Sequence, residues 1–249
     1  MEDNLNRTAA EKTEIIAHRG FSAIAPENTL AAFSAAIKHQ ADSIEFDVQL
    51  SKSGVPVIIH DATVNRTTNA RGKVKNKTLD QLKALDAGSW FSPQFRGEPI
   101  PTLAEALNAL KDIPAFIYPE VKSSRYWSET DIDKFVRSLI ETGWEDRCVV
   151  ACFNHNFLNQ VRQVSSRIVL GYSVRSAWGY KKILPSAIAD GNAVIISKYT
   201  VLLRHPSLAQ SSRSQGVDVV VWTVDSEKDL HKLANIGVVR VITNSLIKT

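Results

Sequence analysis

CVVACFNHNFLNQVRQVSSRIVLGYSV, residues 148–174, contains the fold in miniature. An apolar run, CVVACF (148–153), meets a stretch with helical spacing, HNFLNQVRQV. A second β-branched run, IVLGYSV (168–174), follows. Two buried strands joined by an amphipathic helix run parallel, because the helix carries the chain back to the starting edge.

The same unit repeats on both sides. Further strand-like runs are EIIAH (14–18), SIEFDVQL (43–50), AFIYPEV (115–121), AVIIS (193–197), VDVVVWTV (217–224) and VVRVIT (238–243). Helical patterns such as TLAAFSAAIKH, DIDKFVRSLIETG and SEKDLHKLANIG separate them, the last two ending at a glycine in the helix-stop position. Eight parallel strands with crossover helices predict a (β/α)8 TIM-type barrel. An open doubly wound sheet is disfavoured, since no Gly-rich phosphate loop follows the first strand. VPVIIHD (55–61) breaks the alternation: only SKSG separates it from SIEFDVQL, too short for a parallel crossover, so the two pair as an antiparallel hairpin. A small insertion follows this early hairpin, at about 61–101, rich in turn formers. The expected organisation is a polar N-terminal tail over 1–13 and one barrel domain over 14–249.

Composition excludes several classes. Thirty basic residues against 26 acidic ones are spread along the 249-residue chain without a basic arm, which argues against nucleic acid. No apolar run approaches a membrane span, and MEDNLNRTAAEKTE lacks the apolar centre of a secretory signal, so a soluble, uncleaved, cytoplasmic protein is expected. Cys148 and Cys152 lie in one extended segment, out of disulfide reach, and are expected to be reduced.

In a barrel of this type the chemistry sits at the C-terminal ends of the strands. Those ends offer His18 and Arg19, Glu45 and Asp47, Glu120 and Lys122, and Trp222. Each spacing of two puts a pair on one strand face. The hairpin adds His60: a two-residue Ser53-Gly54 turn places it opposite Asp47 and a four-residue loop opposite Glu45. Only an odd three-residue loop sends it to the other face. Three crowded carboxylates, Glu45, Asp47 and Glu120, repel one another unless a divalent cation holds them. All-oxygen ligation suits Mg2+ or Ca2+. His18 and His60 titrate near neutrality and can act as acid and base; Arg19 and Lys122 supply fixed charge for an anionic group. Together they predict a metal-assisted phosphodiester site. Trp222 is either core or a substrate-facing wall. Glu27 is assigned no catalytic role, PENT reads as helix capping by Asn28 or Thr29, and WFSPQF (90–95) is a lid, an alcohol-binding wall or a separate small core.

AHRGFSAIAPENTLAAF, SIEFDVQLSKSGVPVIIHD, NRTTNARGKV, LDAGSWFSPQFRGEPIPTLAEAL, PEVK and VWTVDS resemble, in order, the successive motifs of the glycerophosphodiester phosphodiesterase family. The resemblance implies a small-molecule glycerophosphodiester substrate, cleaved to sn-glycerol 3-phosphate and an alcohol with one divalent cation. By position it implies His18 and His60 as the acid/base pair, Arg19 and Lys122 as phosphate contacts, and Glu45, Asp47 and Glu120 as metal ligands. It also implies initial attack by the glycerol hydroxyl to give a cyclic phosphate. Two positions depart from the pattern: Cys152 precedes Phe153 where serine is common, and Asn244 stands where aspartate is common. A lysophospholipase D on the same centre, or a phosphometabolite-binding barrel without catalysis, are the alternatives.

Overall fold

The computed structural model describes residues 12–247. Nine strands make one sheet: β1 (Glu14–His18), β2 (Ser43–Leu50), β3 (Pro56–Ile58), β4 (Ile117–Val121), β5 (Val149–Cys152), β6 (Val169–Val174), β7 (Ala193–Lys198), β8 (Asp218–Trp222) and β9 (Arg240–Thr243). The order β1-β9-β8-β7-β6-β5-β4-β2 is parallel throughout and closes by β1 pairing with β2, giving the expected eight-stranded barrel. β3 hangs antiparallel on β2 outside the cylinder. Residues 1–11 of the expected tail lie outside the described residues. Lys12 is ion-paired to Asp42 at 2.7 Å, so an ordered contact precedes β1.

Alternation along the strands separates two cores. Ile16, Val149, Ala151, Val194, Ile196, Val220 and Ile242 fill the barrel interior. The opposite faces, with Ala17, Ile44, Phe46, Val48, Val150 and Val221, pack against the surrounding helices. Inside the barrel Gly171 leaves room for Ile196, whose Cδ1 would stand 2.7 Å from an added Cβ.

The helices are α1 (Leu30–Lys38), α2 (Leu79–Lys83), α3 (Leu103–Ala109), α4 (Glu129–Glu141), α5 (His155–Val164), α6 (Ala177–Asp190), α7 (Tyr199–Arg204), α8 (Ser207–Arg213) and α9 (Glu227–Asn235). Side-chain caps start several of them. Thr29 caps α1, Ser128 and Asp131 form a capping box on α4, and Ser226 caps α9. Among the described residues no helix is long and apolar enough to cross a membrane. Cys148 and Cys152 are buried and unpaired.

The hairpin register differs from expectation. Val48 pairs with Ile58 and Leu50 with Pro56, the odd arrangement. Its cause is local: Ser51 and Val55 bond each other, N to O at 3.0 Å, and close a three-residue loop in which Gly54 takes φ +71°. Continued, this ladder would turn His60 away from Asp47. β3 ends at Ile58 and the register makes one last bond, Ile59 N to Asp47 O at 3.0 Å; His60 then reaches the barrel mouth from a loop, its carbonyl held by Gln49 Nε2 at 3.0 Å.

The insertion packs Val64, Val74, Leu82, Ala87 and Ile100 against Val57 and Ile59 at the end of the hairpin in one cluster. Trp90 and Phe95 each meet Phe91 edge to face, none of the three lines the barrel mouth and Trp90 is 40% exposed, so WFSPQF is a partly exposed aromatic cluster of the insertion and not a core of its own. Asp86 organises it, accepting from the amides of Gly88 and Ser89, the Ser89 hydroxyl and the Gly97 amide.

Candidate active site

Strand register brings distant residues onto common rungs. His18 pairs with Glu45, and Asp47 with Glu120. A cavity of about 130 Å³ at the C-terminal mouth is lined by His18, Arg19, Glu45, His60, Glu120, Lys122 and Trp222. Asp47, only 1% exposed, lies beneath them. All eight residues expected from the sequence therefore converge. Larger clefts elsewhere, one of about 510 Å³ beside His39 and Asp42, hold no comparable set. His39, His155, His205 and His231 do not line the mouth.

The bend after β1 has a steric origin. Arg19 and Gly20 take φ +57° and +81°, and a Cβ on residue 20 would stand 2.6 Å from the Ala32 carbonyl carbon in α1. Only glycine fits. The turn aims the Arg19 amide at Glu45 Oε2, 3.0 Å away, and its Nη1 at Glu27 Oε1, 2.7 Å away. Asn28 does not cap the helix. Its side chain donates to Asp47 Oδ2 at 2.8 Å and accepts from the Asp47 amide at 3.0 Å.

The two histidines have different backing. His18 Nδ1 is 2.6 Å from Asn244 Oδ1, while Asn244 Nδ2 donates to Asp225 Oδ2 at 2.7 Å. That second bond fixes the amide with its oxygen toward His18, so Nδ1 carries the proton and Nε2 is left as an acceptor. Burial, and then the Arg19 cation, lower the His18 pKa to about 4. His60 Nδ1 instead donates to the Asp61 carboxylate at 2.7 Å. Asp61 is held by Arg66, Arg66 by Glu27, and Glu27 by Arg19, so one charged chain joins the turn after β1 to the His60 loop.

Glu45, Asp47 and Glu120 offer oxygens that all lie within 4.8 Å of one another. Burial, reinforced by Asp47 and Glu120, pushes the Glu45 carboxyl well above its usual range. Burial opposes the charge on Asp47 as well. There Lys122 and Arg19 outweigh it and hold the carboxyl far below the ordinary value. Lys122 Nζ stands 3.0 Å from Asp47 Oδ1 and 2.6 Å from Glu120 Oε1, but both oxygens are buried and neither receives an aligned hydrogen bond. Buried carboxylate oxygens with unused lone pairs, converging without nitrogen or sulfur donors, fit a hard divalent cation.

The glycerophosphoryl diester phosphodiesterase family model matches residues 18–248. The chain belongs to this family. A glycerophosphodiester phosphodiesterase of Caldanaerobacter subterraneus subsp. tengcongensis is 36% identical over 94% of both chains. One from Bacillus altitudinis is 33% identical over 93% of this chain and 94% of its own. Among solved structures, an Oleispira antarctica phosphodiesterase in complex with sn-glycerol-3-phosphate superposes with a TM-score of 0.85 at 29% identity, covering 93% of both chains.

In this member of the glycerophosphodiester phosphodiesterase family the mouth also holds residues that the sequence did not single out. Phe153 and Arg175 line it, the Arg175 guanidinium 4.2 Å above the Phe153 ring. Both immediately follow strand ends, β5 and β6, which was the available signal. Glu27 and Asn244 act through partners: one ties Arg19 to Arg66, the other orients His18. Glu27 lies in PENT, which reads as capping, and Asn244 stands out in the sequence only as a departure from the family's aspartate; neither shows its partner there.

Proposed function

We propose that this protein hydrolyses small glycerophosphodiesters to sn-glycerol 3-phosphate and an alcohol, using His18 and His60 as base and acid and one divalent cation, Mg2+ or Ca2+. The observation that carries the reading is the convergence of two oppositely backed imidazoles and two cations on a pocket floored by three carboxylates. Glu45, Asp47 and Glu120 would hold the metal. When bound, the metal supplies positive charge that orients the phosphate and neutralises charge developing on its oxygens.

The chain's own groups carry the proton traffic. Arg19 and Lys122 bind non-bridging phosphate oxygens, and Trp222 walls the pocket beside the glycerol. His18, neutral at physiological pH, takes the proton of the glycerol hydroxyl adjacent to the phosphate ester as that oxygen bonds to phosphorus. The bond from phosphorus to the alcohol breaks, and His60, backed by Asp61, protonates the leaving oxygen. Water then opens the cyclic phosphate with the roles reversed: His60 takes a water proton, and His18 returns its proton to the glycerol oxygen.

The test is release of sn-glycerol 3-phosphate from glycerophosphocholine and glycerophosphoethanolamine. Chelator-sensitive product restored by Mg2+ or Ca2+ is expected. Absence of product with either metal, from folded protein, refutes the reading. His18→Ala and His60→Ala should each lower kcat by about 10²–10⁴-fold with the fold retained by circular dichroism. Full activity in either would remove that histidine from the mechanism.

A further inference from the structure

We infer that a cleft beside the barrel mouth, between the insertion and the loop after β4, is a second binding pocket whose ligand is a phosphate group. The cleft, about 90 Å³, is lined by Lys73 and Lys75 from the insertion and by Ser123, Arg125 and Tyr126 from the loop, over Gln49 at the end of β2. Acidic side chains do not line it. At the catalytic mouth Arg19 and Lys122 are each matched to carboxylates. Among the described residues, no carboxylate lies within ion-pairing distance of Lys73, Lys75 or Arg125.

These cations are gathered and not merely solvated. Lys75 Nζ lies 3.6 Å from the centroid of the Tyr126 ring, and the Arg125 guanidinium carbon 4.7 Å from it. Arg125 Nη2 also donates to the Tyr126 hydroxyl at 2.9 Å. The hydrogen bond from Arg125 and the nearby Lys75 make that hydroxyl more acidic than an ordinary tyrosine, as a positive local field requires. Two like charges held against one ring beside a third repel, and an anion among them relieves the repulsion. Lysine ammoniums, a planar guanidinium and the Ser123 hydroxyl are donors suited to a tetrahedral oxyanion, and the volume suits one compact group.

The two cavities share no lining residue, but the walls of this one adjoin site residues along the chain. Ser123 follows Lys122, Ala62 follows Asp61, and Gln49 holds the His60 carbonyl. A phosphate bound here clasps the insertion to the loop that carries Lys122. The group is either free, as inorganic phosphate or a phosphomonoester, or displayed on a lipid headgroup.

Equilibrium dialysis of the full chain against labelled inorganic phosphate at low ionic strength tests the site. The wild type should bind one equivalent more than Lys75→Gln/Arg125→Gln, whose affinity at this pocket should fall by at least about tenfold. Both side chains are exposed, and thermal melting monitors folding. If that variant does not fold, Lys73→Gln/Lys75→Gln serves instead. Sedimentation with phosphatidylcholine vesicles containing phosphatidic acid, lost in the double variant, identifies the lipid source. An extra dialysis equivalent without vesicle binding identifies the free one. Equal phosphate binding by wild type and double variant, with no variant-sensitive vesicle binding, overturns the proposal.

Discussion

At the scale of single residues, the departure at position 244 acquires a specific meaning. Asparagine presents a neutral oxygen to His18 while its amide nitrogen is consumed by Asp225. An aspartate there would put a second carboxylate against Asp225 and beside the imidazole. Asn244→Asp should therefore raise the His18 pKa, and NMR titration of the imidazole in metal-free protein checks this. The His18 shift also has a stability consequence. Its folded pKa of about 4 lies below the 6.5 of an exposed histidine, so between those values the unfolded chain binds the proton more tightly. Stability of the metal-free protein should fall as pH drops from about 6.5 toward 4, and His18→Asn should flatten that slope in urea melts across the window. A slope unchanged by the substitution would show that other groups dominate.

At the scale of elements, short connections do the positioning. The three-residue loop of the hairpin, the left-handed pair Arg19-Gly20 and the loop carrying His60 each set a side chain of the candidate site that strand periodicity alone would misplace. Gly20→Ala tests the tightest of them. Its Cβ would fall 2.6 Å from backbone in α1 at a φ of +81°, so α1 must move away from the end of β1. The expected cost is about 2 kcal/mol or more in denaturant unfolding. A larger proportional loss of kcat is also expected, since Arg19 and His18 move with the turn. Retention of wild-type stability and activity would mean that the turn relaxes without strain. His60 shows what was legible at this scale and what was not. Its membership of the site could be read from the hairpin's existence, but the parity argument failed because the ladder ends before His60, at the Ile59 amide.

At the scale of the whole molecule, the mouth stores electrostatic stress in a stable cylinder. Glu45 is buried against two other carboxylates, and relief of that repulsion should make divalent cation binding stabilising. Mg2+ or Ca2+ at 100 times its Kd should add about 2.7 kcal/mol of stability, read as a rise in Tm. Glu45→Gln should melt higher than wild type when both are metal-free and lose most of the response to metal. An unchanged metal response would place the cation elsewhere. By itself the sequence determined the barrel, the antiparallel hairpin and the eight candidate residues. Each of these rests on local periodicity or on motif order, and both are carried by neighbouring residues. Only the tertiary structure decided which groups touch. Closure of β1 onto β2 and the register of β2 against β4 set His18 beside Glu45 and Asp47 beside Glu120. Asn244 reaches His18 across 226 positions, because chain closure turns the ends of a long polymer into neighbours and residue spacing along the sequence says nothing about that distance.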